Sequence, residues 1–167
     1  VKPWLRGSLE IAPPVFEVLW AHARACHPEE CCGLLLGDAG DVRVDEAMPF
    51  DNLADRYHRV DPEGFPRTAK TGYVMDGARV QFVMERAPAQ GRAVKAIYHS
   101  HPDRAAYFSA EDERMARADP SLASQVAWLV LGTGGQARVF VYEPMDDAFV
   151  VRVSWTGCEA RPYEGDP

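Results

Sequence analysis

The chain has 167 residues, 47% of them apolar and 26% charged, with four cysteines and a formal charge of −7. That length suits one domain, which buries roughly 70% of the surface its unfolded chain exposes, and the composition excludes a disordered or fibrous chain. The acidic balance and the lack of any Lys/Arg-rich block argue against nucleic-acid binding, since phosphate neutralisation needs a basic surface.

Pro13 and Pro14 can open a helix at its first turn, after which Val15, Leu19, Ala23 and Cys26 recur at helical spacing until Pro28. Glu30 to Gly37 reads as a buried strand, and Asp41 to Phe50 as a second strand forming a hairpin with it across Gly40. Arg56 to Val60 suggests a short strand, and Asp61 to Thr71, carrying two prolines and a glycine, a loop. Val80 to Arg86 reads as a helix ending near Pro88 and Gly91, and Ala93 to His101 as the strand that follows. Ser109 to Ala118 is then a helix, and Gln125 to Leu131, Ala137 to Tyr142 and Ala148 to Val153 are three more strands. These elements make an α/β domain over residues 1–153 with a Pro- and Gly-bearing tail over 154–167.

No apolar run, Val126 to Leu131 included, approaches the ~20 residues that span a bilayer, so no membrane partner is expected. Val1 to Gly7 lacks the basic and apolar blocks of a secretory signal, which makes a cytoplasmic location the expectation. Cys26, Cys31, Cys32 and Cys158 contain no C-x-x-C pair and fit no common zinc ribbon, and they read as reduced thiols. Partners should be small molecules or proteins, and nothing specifies an oligomeric state.

The informative stretch is His99-Ser100-His101-Pro102, then six residues, then Ser109-Ala110-Glu111-Asp112. Residues two apart in a strand point to one face, so both imidazoles can reach a single ion. Ser109 is placed as the N-cap of the next helix, which puts Asp112 in its first turn, facing back toward the strand end. Two imidazoles and one carboxylate leave a fourth tetrahedral position to water, the arrangement of a catalytic zinc, and this donor set suits zinc better than magnesium or calcium. Alone, Ser109 and Asp112 are an ordinary capping box and a His pair on a strand is ordinary packing; the conjunction at this spacing carries the metal reading. The metal lowers the pKa of its water without relocating the proton, so a carboxylate outside the ligand set is also required. Glu29 and Glu30, at the mouth of a packed strand, are the candidates.

The H-S-H-P-x6-S-x-x-D run, with Pro28-Glu29-Glu30-Cys31-Cys32-Gly33-Leu34-Leu35-Leu36-Gly37 upstream, resembles the JAMM/MPN-plus family of zinc metallopeptidases, especially its short bacterial members. The similarity of order runs from about Pro13 to Leu131. It implies a curved mixed sheet flanked by helices, related to the cytidine-deaminase fold, and hydrolysis of peptide or isopeptide bonds next to ubiquitin-like C-terminal tails. By that likeness zinc falls on His99, His101 and Asp112, the base on Glu30 rather than Glu29, and an oxyanion-stabilising role on Ser109. The bare core looks most like enzymes that process β-grasp sulfur-carrier proteins, cleaving after their diglycine.

Tyr107 and Phe108, in the metal loop, offer cover for an extended tail. Alternation places Cys32 on the face of Glu30, bordering the metal pocket, where its oxidation would depress activity. Two alternatives stand beside this reading. A RadC-like DNA-repair-associated protein carries a very similar run, but its Gly/Pro-rich loop is replaced here by Asp103-Arg104-Ala105-Ala106-Tyr107-Phe108. A non-catalytic MPN scaffold usually lacks the ligands that this sequence has.

Overall fold

The computed structural model describes residues 2–6 and 8–157. In its first half, helix α1 (Pro3–Arg6), strand β1 (Glu10–Ile11), helix α2 (Pro13–Cys26), strands β2 (Cys32–Asp38), β3 (Arg43–Val44) and β4 (Glu46–Phe50), and helices α3 (Ala54–Val60) and α4 (Gly77–Arg86) follow in order. After them come β5 (Arg92–Ser100), α5 (Ala110–Ala118), α6 (Pro120–Ala123), β6 (Ala127–Leu131), β7 (Ala137–Glu143) and β8 (Ala148–Trp155). Six strands form one mixed sheet in the order β4-β2-β5-β6-β7-β8, and β1 pairs with β3 in a small parallel ribbon. Within the large sheet only β5 and β6 run parallel. A parallel pair needs a crossover, and this one leaves the end of β5 through residues 101–109 into α5 and α6.

The sheet is packed on both faces, which is why its central strands read as unbroken apolar runs rather than as alternation. On one face Val15, Phe16, Leu19 and Trp20 of α2 share a core with Leu35, Tyr98, Leu129 and Val139. On the other, Leu34, Leu36, Ile97, Trp128, Val130 and Phe140 pack with Ala116 of α5, and Val80, Val83 and Met84 of α4 lie at the margin. Leu19, Leu34, Leu35 and Leu129 are fully buried, and each such side chain contributes roughly 1.5–3 kcal/mol relative to exposure. Gly33 is where β4 and the ring of Tyr98 close in: a β-carbon there would stand 2.4 Å from Met48 O and 2.6 Å from Tyr98 Cε1.

The expected helices and strands largely recur, and so does the mixed sheet flanked by helices. Four differences have physical causes. Arg56 to Val60, read as a short strand, lies within α3; Val60 is 83% exposed there, so the segment has no apolar face for a sheet, and a helix satisfies its own backbone. Asn52 anchors its start, accepting from Ala54 N and Val74 N while donating to Glu30 O and Gly72 O. The second hairpin strand is split, because β3 turns to β1 and only β4 stays on β2. Fully buried Lys95 holds that split, donating from Nζ to the Asp41 carboxylate and to the carbonyls of Asp41 and Arg43. Glu30 precedes β2 instead of opening it, with its N–H on Ala69 O at 2.7 Å. Finally, β8 runs past Val153 to Trp155, whose ring meets Phe16 edge-on at 5.2 Å. Residues 158–167 of the expected tail, Cys158 among them, lie outside the described residues.

Candidate metal centre

The end of β5 sets the first two donors. His99 pairs across the sheet with Cys32 of β2 and with Val130 of β6, and His101 N donates to Leu131 O at 2.7 Å, so the extended course continues one residue beyond the strand. The alternation this imposes sends Ser100 to the opposite side, where its Oγ accepts from Cys31 N at 2.8 Å. The two imidazoles therefore share a side, with their Nε2 atoms 3.2 Å apart. His99 stacks on Tyr73 at 4.6 Å between centroids, and His101 lies against Tyr107 at 4.8 Å. Nδ1 of His101 is 3.1 Å from Ala105 O; with Nδ1 donating to that carbonyl, Nε2 is the nitrogen that would give up its proton to ligate an ion.

The third donor comes from α5. Ser109 is its N-cap, and the capping box with Asp112 is complete: Asp112 N donates to Ser109 Oγ at 3.1 Å, and Ser109 N donates to Asp112 Oδ2 at 2.8 Å. The Ser109 hydroxyl also donates to Oδ2, at 2.7 Å. Oδ1 is 3.1 Å from His99 Nε2, and Oδ2 is 3.3 Å from His101 Nε2. Burial alone would push the Asp112 carboxyl up, but the charge of His99 and hydrogen bonds from His101, His99 and Ser109 outweigh it and hold the group well below the usual carboxylate range.

Ligands at ~2.0–2.1 Å from zinc stand roughly 3.3 Å apart along the edges of a tetrahedron. The two Nε2 atoms, 3.2 Å apart, match that edge, and each lies 3.1–3.3 Å from one of the two Asp112 oxygens. Among the described residues, His99, His101 and Asp112 form the one group of three such donors within 4.8 Å of one another, and all three are buried. These residues fit a small divalent ion.

Glu30 is 2% exposed and fixed from both sides, through its N–H to Ala69 O and its carbonyl to Asn52. Its Oε1 accepts from Arg104 Nη2 at 2.8 Å, while Oε2 is buried without a partner among the described residues. Burial raises its pKa, the Asp112 charge adds to that, and the opposing pull of His99, His101 and Arg104 does not cancel them. A buried carboxylate with one free oxygen beside a metal-type cluster is placed to take up and release a proton.

Three contributors escaped the sequence reading. Arg104 lies in the spacer between the two halves of the motif, Tyr73 stacks on His99 from a loop, and Asn52 braces Glu30. Only Arg104 had a signal, as a lone cation in the metal loop. Of the two aromatics there, Tyr107 is at the site, whereas Phe108 anchors the loop, packing on Phe149, Phe140 and Trp128 at 4.8, 5.2 and 6.0 Å. Cys32 pairs with His99 across the sheet, but it is wholly buried and burial raises its thiol pKa, which disfavours the reactive thiolate. Cys31 packs on the other face, its thiol pushed up to about 12 by burial.

Known proteins resemble this chain over part of its length. CysO-cysteine peptidases of Mycobacterium bovis and Mycobacterium tuberculosis are 31% identical over 108 residues, 65% of this chain and 65% of theirs, so the match spans just under two thirds of those relatives' length. A desampylase of Haloferax volcanii is 30% identical over 114 residues, 66% of this chain and 73% of that one. The solution structure of a protein from Desulfitobacterium hafniense superposes with a TM-score of 0.64 at 26% identity, covering 86% of this chain and 88% of the other. The profile of the prokaryotic homologs of the JAB domain matches residues 12–144, which takes in α2, the sheet from β2 to β7 and the whole His-His-Asp cluster, and the chain belongs to that family.

Proposed function

We propose that the chain is a zinc-dependent peptidase that cleaves after the C-terminal diglycine of a ubiquitin-like, β-grasp sulfur-carrier protein. The observation that carries this reading is the convergence of His99, His101 and Asp112 beside the buried, half-free carboxylate of Glu30. The names of the relatives, CysO-cysteine peptidase and desampylase, support a hydrolase of that substrate class.

His99, His101 and Asp112 would hold the ion, which when bound supplies Lewis acidity that acidifies a water and polarises the scissile carbonyl. Glu30 accepts a proton from the attacking water, the water oxygen bonds to the carbonyl carbon, and the carbon–nitrogen bond breaks as Glu30 returns the proton to the leaving amine. Ser109 has two tasks within reach. Its hydroxyl holds Asp112 in the resting geometry, and by turning it would donate to the developing oxyanion. Tyr73 and Tyr107 flank the imidazoles and limit water at the site.

The test is mass spectrometry of a sulfur-carrier protein extended beyond its diglycine, incubated with zinc-loaded protein, with chelator-treated protein and with Glu30→Ala. Cleavage at the diglycine by the first alone is expected. Zinc uptake without cleavage would favour a non-catalytic scaffold instead.

A further inference from the structure

Arg104 has no place in the chemistry above, yet it is the side chain bonded to the proposed base. Its backbone is clamped, with N donating to His101 O at 3.3 Å and O accepting from Thr133 N at 2.8 Å. Its guanidinium reaches Glu30 Oε1 through Nη2 at 2.8 Å and approaches the Tyr107 hydroxyl through Nη1 at 3.4 Å. Among the described residues Nε has no partner. The side chain is 35% exposed against 2% for Glu30, so the cation forms the outward side of the pair. The neighbouring Asp103 does not neutralise it, because that carboxylate turns away to His27 at 3.0 Å.

A guanidinium has five donors in a planar fork suited to a carboxylate, and one carboxylate oxygen does not exhaust them. The leaving amine must come to Glu30 for its proton. When the leaving group is an α-linked amino acid with a free C-terminus, its carboxylate is attached to the carbon that bears that amine, so delivering the amine to Glu30 brings the carboxylate to the adjoining cation. When the leaving group is a lysine side chain, the atoms next to the amine are methylenes, which offer the guanidinium nothing and partly cover it.

Resting on the peptidase reading, we propose that Arg104 is a specificity-determining residue that binds the α-carboxylate of the residue released, making the chain selective for a single C-terminal amino acid over amides and lysine isopeptides. The same cation keeps Glu30 oriented, and the two roles separate by experiment.

Two tails ending Gly-Gly-Ala, identical except that one has a free carboxylate and the other a C-terminal amide, are compared by kcat/KM. The zinc-loaded parent should prefer the acid on the order of ten- to a hundredfold, the range set by a hydrogen bond between charged groups. Arg104→Ala should bring the ratio close to one, and Arg104→Lys should retain part of it. Calorimetric binding of both tails to Glu30→Gln, with and without Arg104→Ala, should show the same preference and its loss. Equal losses on acid and amide in Arg104→Ala would mean that Arg104 only positions Glu30, and would overturn the proposal. A parent that cleaves both tails equally would overturn it while leaving the peptidase reading intact; cleavage of neither would overturn both.

Discussion

Replacing Ser109 with alanine separates the tasks that this residue can perform. The hydroxyl accepts from Asp112 N at 3.1 Å and donates to Asp112 Oδ2 at 2.7 Å. Losing the first bond uncaps α5 at a cost of about 1 kcal/mol, which lowers Tm by roughly 2–4 °C in a chain of this size. Losing the second leaves Oδ2 with the Ser109 N–H at 2.8 Å and His101 Nε2 at 3.3 Å. An orienting bond of this kind, outside the ligand set, is worth roughly ten- to a hundredfold in metal affinity. The assay is a zinc competition titration against a chromophoric chelator, together with melting of the metal-free protein, for Ser109→Ala and Ser109→Thr. The alanine variant should lose affinity and Tm together, and threonine should restore most of both. With zinc saturating, any remaining fall in kcat measures the oxyanion role, for which ~100- to 1,000-fold is the reference range. Unchanged zinc affinity in Ser109→Ala would refute the argument that the cap holds Asp112 for the ion.

Glu30→Gln should abolish turnover and leave zinc stoichiometry intact. Burial raises the Glu30 pKa, so the folded chain holds that proton more tightly than the unfolded chain; the stabilisation is complete below the unfolded value near ~4.3 and is lost as pH rises through the folded value. Glutamine escapes that loss, so the Tm of the metal-free variant relative to the metal-free parent should climb from acid to neutral pH. Gly33→Ala should cost ~1–3 kcal/mol or more in urea unfolding, because the added carbon would stand 2.4 Å from a backbone oxygen that can yield only by moving β4. Phe108→Ala, removing a half-buried ring from the cluster with Trp128, Phe140 and Phe149, should cost about 2–3 kcal/mol and weaken zinc binding by loosening the loop between His101 and Ser109, read by the same titration.

What the amino-acid sequence determined by itself was everything with a short repeat. Strand alternation puts His99 and His101 on one side, a capping box puts Asp112 three residues after Ser109, and apolar spacing marks α2 and the doubly buried strands. Each is a relation between residues a few positions apart, enforced by backbone geometry whatever surrounds it. The tertiary structure decided the rest. Glu30 meets Arg104 across 74 positions, Asn52 meets Glu30 across 22, and Lys95 meets Asp41 across 54. The same long-range contacts account for the split of the second hairpin strand into β3 and β4. Contacts of that kind depend on sheet register and on the path of each loop, which many distant side chains settle together, so the partner of the proposed base is set by the fold and not by any local pattern.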